Sequence, residues 1–245
     1  MLANYVKRAF RAVGLEVQWL RAANTGEAVL RNLLNQSDAD VLLDVGANLG
    51  QFAEEVRSVG FRRRIISFEA LPDVHAQLAR RAIGDAHWTV APCMALGSER
   101  SVVEMNVAGN VASSSLLPMH RTHVEAAPES AYVRTQTVQV TRLDEICAGL
   151  LPAAGSVYLK IDTQGYEREV LLGATGIMDR VVVLQLELSL VPLYENGPLF
   201  TEMLHFADSL GFELFNVIPA FKDRRSGRLL QVDGFFVRKG GAPTS

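Results

Sequence analysis

Cysteine is scarce in this chain: 245 residues carry two, Cys93 and Cys147. Two thiols make neither a disulfide scaffold nor a multi-cysteine zinc site, and they suit a reducing compartment. An excess of one charge sign is missing too. Lys+Arg number 24 and Asp+Glu 27, a formal net charge of −3, so no overall field draws the chain to polyanions. No basic stripe interleaved with aromatics is present, and no nucleic-acid partner is expected. No run reaches the ~18 consecutive apolar residues of a membrane span. The nearest, residues 181–193, is interrupted by Gln185, Glu187, Ser189 and Pro192. Lys7, Arg8 and Arg11 break any apolar leader. The expected location is therefore cytoplasmic. Internal repeats and low-complexity tracts are absent as well.

What is present is ordinary globular usage, 49% hydrophobic and 21% charged, at a length that suits one sizeable domain with appendages. Residues 1–36 read as a helical extension, with Val6, Phe10, Val13, Val17 and Leu20 at helical spacing. Its first 31 residues hold five basic residues against two acids. Such a basic amphipathic helix either packs on the domain with a solvated basic face or makes peripheral contact with a membrane surface or an anionic substrate. Residues 37–240 read as one domain, and 241–245 as a flexible tail.

Within the domain, short apolar runs at 41–45, 64–69, 88–91, 102–107, 135–140, 157–161, 181–188, 212–217 and 234–238 read as strands. Helices are expected from about 51 to 59, 72 to 83, 167 to 172 and 199 to 210, the second opened by Pro72 at a first helical position. Strands alternating with helices predict an α/β fold, a mostly parallel sheet with helices on both faces. No helix separates the last two strands, which should form a hairpin with one strand antiparallel. Residues 109–134 read as a long polar loop, of a length usually functional or disordered.

The strongest motif is Asp44-Val45-Gly46-Ala47-Asn48-Leu49-Gly50, placed after a strand and before a helix. Gly46 permits a sharp turn, and Gly50 would let the backbone approach a ligand at the helix start. Glu69 closes the next strand, where an acid can accept hydrogen bonds from both hydroxyls of a ribose. The turn departs from G-x-G-x-x-G, and Asp44 suits a cation better than a pyrophosphate. The charge argument favours S-adenosylmethionine, with an ammonium, a sulfonium and no phosphate, over NAD. The bland alternative is a tight strand-to-helix turn capped by Asn48.

The second motif is Lys160-Ile161-Asp162-Thr163-Gln164-Gly165-Tyr166-Glu167. Alternation puts Tyr158, Lys160 and Asp162 on one face of a strand. Charges there are costly unless paired, so they are either a structural ion pair or a functional site. If the strands at 157 and 181 are neighbours, Asp162 and Glu187 could meet across the cleft. They would then share a divalent cation such as Mg²⁺ with a third ligand, or divide base and orienting roles. Asp162 is the first candidate for a base that takes a proton from a hydroxyl, with His120 and His123 of the long loop second. His205 is expected to be packing or surface. Asn110 and Ser113 to Ser115 could hydrogen-bond a sugar or the cofactor, and Pro192, Tyr194 and Gly197 could wall an acceptor pocket, Tyr194 offering a flat face to a sugar ring.

Together these motifs resemble the FkbM family of S-adenosylmethionine-dependent methyltransferases. The likeness runs through D-V-G-A-N-L-G at 44–50, F-E-A-L-P at 68–72, A-L-G at 95–97, S-S-L at 114–116, T-R-L-D at 141–144, K-I-D-T-Q-G-Y-E at 160–167 and L-E-L at 186–188. It implies the Rossmann-like class I methyltransferase fold, a seven-stranded sheet with one antiparallel strand. It also implies O-methylation of a sugar, glycan or polyketide-type metabolite. Carried over, Asp44, Gly46, Asn48 and Gly50 would hold the methionine part, Glu69 the ribose, and Met94 with Ala95 the adenine. Ala47 and Ala70 fall in the same site. Asp162 would face the transferred methyl group; the reading of the residues themselves adds Lys160, Glu187 and His120 to the candidate catalytic set. The rival readings are an NAD-dependent oxidoreductase and a non-catalytic cofactor-binding protein.

Overall fold

A strand that is apolar on both faces is stable only when helices cover both sides of its sheet. The computed structural model, which describes residues 25–240, meets that demand. In chain order the elements are α1 (Gly26–Ser37), β1 (Val41–Val45), α2 (Gln51–Ser58), β2 (Arg64–Phe68), α3 (Pro72–Ala82), β3 (Trp88–Val90), β4 (Ala95–Leu96), β5 (Ser101–Ala108), α4 (Arg121–Ala126), β6 (Tyr132–Thr141), α5 (Leu143–Leu150), β7 (Val157–Ile161), α6 (Glu167–Leu172), β8 (Val181–Ser189), α7 (Phe200–Ser209), β9 (Phe212–Lys222) and β10 (Leu229–Arg238). The main sheet runs β3-β2-β1-β7-β8-β10-β9. Its pairs are parallel from β3 to β8, and β10 is antiparallel to both its neighbours. The expected terminal hairpin is there, longer at both strands than the apolar runs suggested.

Strand alternation builds two cores. Leu43, Leu159, Ile161 and Leu184 face α5, α6 and α7, where Leu143, Val170 and Met203 close the layer. Leu42, Tyr158, Val183 and Phe235 face α1, α2 and α3, contributing Leu33, Val56 and Leu78. Helix α1 starts at Thr25, whose side chain accepts the Ala28 N–H at 3.2 Å, and buries Val29, Leu30, Leu33 and Leu34. The basic, membrane-facing reading of the segment before it, with Val6 to Leu20, lies outside the described residues, as does the tail. Among the described residues no helix is long and apolar enough to cross a membrane.

The 109–134 segment differs from expectation. It holds α4, a 3₁₀ turn at Pro128–Ser130 and the start of β6. Strands β4, β6 and β5 form a separate three-stranded sheet. Short bridges pin the segment, Asn106 to Ser115 and Met119 to Tyr194, and Leu117, Met119 and Ala126 pack on Leu193, Tyr194 and Leu230. Its order comes from docking onto distant chain rather than from local periodicity. Helix α5 was also not foreseen: of its eight residues only Leu143 and Cys147 are buried, one turn apart.

Candidate active site

The β1–α2 turn is shaped by what it must pass. Gly46 has φ +74°, and a Cβ there would lie 1.8 Å from the Asp162 carbonyl oxygen. Asn48 is left-handed at φ +47°, so it does not cap α2, which begins at Gly50 without a side-chain cap. Gly50 departs from its expected place: a Cβ on it would strike Trp88 at 2.7 Å and Leu78 at 2.8 Å. Its smallness serves the core and not a ligand.

Two cavities meet at this turn. The first is lined by Gly46, Asn48, Glu69 and Ala70 of the first strand ends, by Met94, Ala95 and Leu96, and by Asp162, Thr163 and Gln164. Val111, Ala112, Ser114 and Leu116 close it from the docked segment. The second is lined by Ala47, Gln51, Phe52, Glu55, Lys160, Gln185 and Asp233, and again by Gly46, Asn48 and Asp162. The last three residues therefore form the partition between the cavities.

Glu69 lines the first cavity, but its oxygens are partly engaged. Oε2 accepts the Asn48 N–H and Oε1 the Leu71 N–H, both at 2.9 Å. Each carboxylate oxygen keeps a further lone pair for a ligand hydroxyl. Burial raises its proton affinity against these bonds.

Asp44 lines neither cavity and is fully buried beneath the turn. The expected contact with a ligand cation is replaced by an internal one: Lys160 Nζ lies 3.4 Å from Asp44 Oδ1. The same ammonium is 3.3 Å from Asp162 Oδ2, 3.5 Å from the Gly46 carbonyl and 5.4 Å from the Phe52 ring centroid. Burial alone would push Lys160 down; Asp162 and Asp44 reverse this and hold it above the ordinary lysine range. Burial raises Asp44, and Lys160 partly offsets it. Lys160 is thus the ammonium of a buried triad, while the Asp162 side chain remains 32% exposed in the partition.

Strands β7 and β8 are neighbours, as expected, with Lys160 opposite Gln185. Yet Asp162 and Glu187 do not form a metal pair. The Gln164 amide stands between them, donating from Nε2 to Asp162 Oδ1 at 2.8 Å and to Glu187 Oε2 at 2.6 Å. Gln231 Nε2 donates to the same Glu187 oxygen at 3.0 Å. Donors occupy the place where a cation would lie, and among the described residues no cluster of three or more His, Cys, Asp or Glu could hold a metal. Burial, then the charges of Asp162, Glu167 and Asp233, raise Glu187 well above the usual carboxylate range. Glu167 is buried and pushed up to about 7, although it accepts the Thr163 and Gly165 N–H groups.

His120 lines neither cavity. Its Nδ1 accepts the Thr122 N–H at 3.2 Å as the cap of α4, and its backbone N–H donates to the Leu193 carbonyl. His123 is no surface loop residue. It is 3% exposed, Nδ1 has no hydrogen-bond partner among the described residues, and burial pushes the ring down to about 4. Tyr194 offers no open face to a ring: it is 2% exposed, with His123 edge-on at 5.3 Å. Asn110 and Ser113 are bonded to Ser130, and Ser115 to the Gln164 carbonyl; Ser114 reaches the first cavity while its Oγ accepts the Ala108 N–H. Gly197 lies in a separate groove beside Arg168 and Glu202, and Pro192 is exposed.

Sequence reasoning gave no role to Gln164, although it sits inside the second motif. Asp233 and Glu55 carried no local signal. Each is a single acid on its own element, brought to the second cavity by tertiary structure alone.

The sheet order, with its antiparallel strand inserted before the edge, is that of the class I methyltransferase fold. The sequence model of the methyltransferase FkbM domain matches residues 44–214. The chain belongs to that family and is a methyltransferase. No curated protein matches it. Among solved structures it is similar to precorrin-6y C5,15-methyltransferase from Geobacter metallireducens, at 14% identity over 91% of this chain and 93% of that one, TM-score 0.45. It is similar to Aeropyrum pernix fibrillarin with natively bound S-adenosyl-L-methionine, at 12% identity over 81% and 66%, TM-score 0.45. It is also similar to the glycopeptide N-methyltransferase MtfA complexed with sinefungin, at 11% identity over 91% and 90%, TM-score 0.45.

Proposed function

We propose that the protein transfers a methyl group from S-adenosylmethionine to a hydroxyl of a sugar, glycan or polyketide-type metabolite, with Asp162 as the base. The observation that carries this reading is the position of Asp162 in the wall shared by two cavities. One cavity can hold the donor and the other the acceptor, with the carboxylate between them.

The first cavity fits the cofactor by its donor set. Among the described residues no Lys or Arg lines it, and its charged residues are Glu69 and Asp162. That suits a cationic ligand without phosphate and disfavours a dinucleotide. Glu69 would bind the ribose. Ala70, Leu71, Met94, Ala95 and Leu96 would flank the base, and Gly46, Asn48 and Asp162 would meet the methionine end. When bound, the cofactor supplies a methyl group on a sulfonium, already a good electrophile. Positioning then supplies much of the rate.

A hydroxyl is a weak nucleophile at neutral pH. Asp162 takes its proton, having a lone pair free on a part-exposed side chain. Lys160 fixes Oδ2 and Gln164 fixes Oδ1, so the carboxylate cannot swing from the partition. Phe52, Gln51, Gln185, Glu55 and Asp233 offer an apolar ring face beside carboxylates and amides, a set that suits a hydroxylated acceptor.

The test is transfer of labelled methyl from S-adenosylmethionine to a panel of methyl glycosides of 6-deoxyhexoses, in wild type and Asp162→Asn. Wild-type turnover is expected, with a loss of about 10²–10⁴-fold in the variant. The loss of cofactor affinity, read by calorimetry, should be smaller than the loss of turnover, because Glu69 and the turn backbone still hold the cofactor. Full activity of Asp162→Asn would remove the base from the mechanism.

A further inference from the structure

Tyr194 lines neither cavity, yet its hydroxyl is tied to the residue that links the two central carboxylates. It donates to Gln164 Oε1 at 2.6 Å and lies 3.3 Å from the Ser113 carbonyl. An amide has one acceptor end and one donor end. A phenol donating to Oε1 therefore fixes which end of Gln164 faces Asp162 and Glu187. With Oε1 held back, Nε2 is presented to both carboxylates.

The backbone around Gln164 is built for the same purpose. Gln164 is left-handed at φ +57° and Gly165 at φ +95°, a costly conformation for a glutamine. Ser115 Oγ donates to the Gln164 carbonyl at 2.7 Å, and a Cβ on Gly165 would lie 3.0 Å from Tyr194. Tyr194 itself is flanked by His123 at 5.3 Å, and its carbonyl accepts the Gly197 N–H at 3.3 Å. An amide free to flip would aim Oε1 at two carboxylate oxygens.

We propose that Tyr194 is a positioning residue for methyl transfer: through Gln164 it locks the donor end of one amide onto Asp162 and Glu187 and so holds Asp162 aimed into the partition. The inference rests on the methyl-transfer reading for its consequence and on geometry alone for the device.

Two readouts test it in the full chain. The first needs no acceptor. In wild type the Gln164 side-chain NH₂ pair, assigned by its loss in Gln164→Leu, is expected to resonate away from free amides and to exchange slowly with water. In Tyr194→Phe it should move to the free-amide position, with exchange faster by about tenfold or more, while S-adenosylhomocysteine binds as before. The second is a double-mutant cycle in kcat with the panel glycoside that wild type methylates. Tyr194→Phe should lower kcat by about tenfold, the scale of one charge-assisted hydrogen bond, with KM for S-adenosylmethionine unchanged. Added to Gln164→Leu it should cost nothing more.

An unmoved Gln164 resonance in Tyr194→Phe overturns the proposal, and so do losses that multiply in the double variant. A moved resonance in a protein that methylates no glycoside would sink the sugar reading and leave the Tyr194–Gln164 lock standing. Should Tyr194→Phe fail to fold, Tyr194→Met removes the hydroxyl by another route and is read by the same resonance.

Discussion

Gly46 has space for a hydrogen and nothing larger, because the Asp162 carbonyl stands where a Cβ would go. Its positive φ adds strain for any other residue. Gly46→Ala is therefore expected to destabilise the protein by about 3 kcal/mol, overlap and strain combined, and to weaken cofactor binding, measured by urea unfolding and calorimetry. Wild-type stability in that variant would contradict the close approach. The glycine was legible as a turn residue from its place after an apolar strand. What lies opposite it was not, because the 114 positions separating Gly46 from Lys160, whose ammonium reaches its carbonyl, leave no local trace. Asp44 shows the same limit. Its charge was visible and its direction was not, since a partner on the neighbouring strand turned it inward.

At the scale of elements, β1 and β7 are joined by ladder hydrogen bonds and by the buried Asp44–Lys160 pair. Lys160→Met would leave Asp44 buried without its cation, a cost of about 3–5 kcal/mol. The melting temperature should fall by about 6–20 °C; a smaller loss would mean that Asp44 takes up a proton easily. Helix α4 brings a different pH dependence. His123 titrates at about 4 in the fold against 6.5 free, so the unfolded chain binds the proton first as pH falls. The stability His123 contributes is present above pH 6.5 and is lost between 6.5 and 4, by at most about 1.4 kcal/mol per pH unit. Glu167 and Asp233, both pushed up by burial to about 7, give slopes of opposite sign, so the check is a difference. The stability of His123→Phe minus that of wild type, followed from pH 7 to 4, should rise as pH falls. A flat difference would mean that the ring is charged in the fold. Elements such as β1 and β7, short apolar runs buried on both faces, and α3, buried along one face, were legible because such burial writes itself into local sequence. Helix α4, helix α5 and strand β4 were not, since each is short and is stabilised by what it docks against.

At the scale of the whole molecule, a ligand that binds only the folded chain stabilises all of it. S-adenosylmethionine at 100 times its dissociation constant should add about 2.7 kcal/mol, a rise of about 5–10 °C in melting temperature. NAD at the same concentration should add none, and a shift with NAD alone would reverse the cofactor assignment. The sequence by itself determined the α/β class, the terminal hairpin, the family and the two motifs at the strand ends, because these depend on local periodicity and on residues adjacent in the chain. Only the tertiary structure decided that Lys160 faces inward to Asp44, that Gln164 separates Asp162 from Glu187, that His120 is spent on a helix cap, and that the 109–134 segment folds over the first cavity. Each of these is settled by strand register and by side chains meeting from distant positions. Their energies reside in desolvation and hydrogen-bond geometry, which linear spacing does not encode.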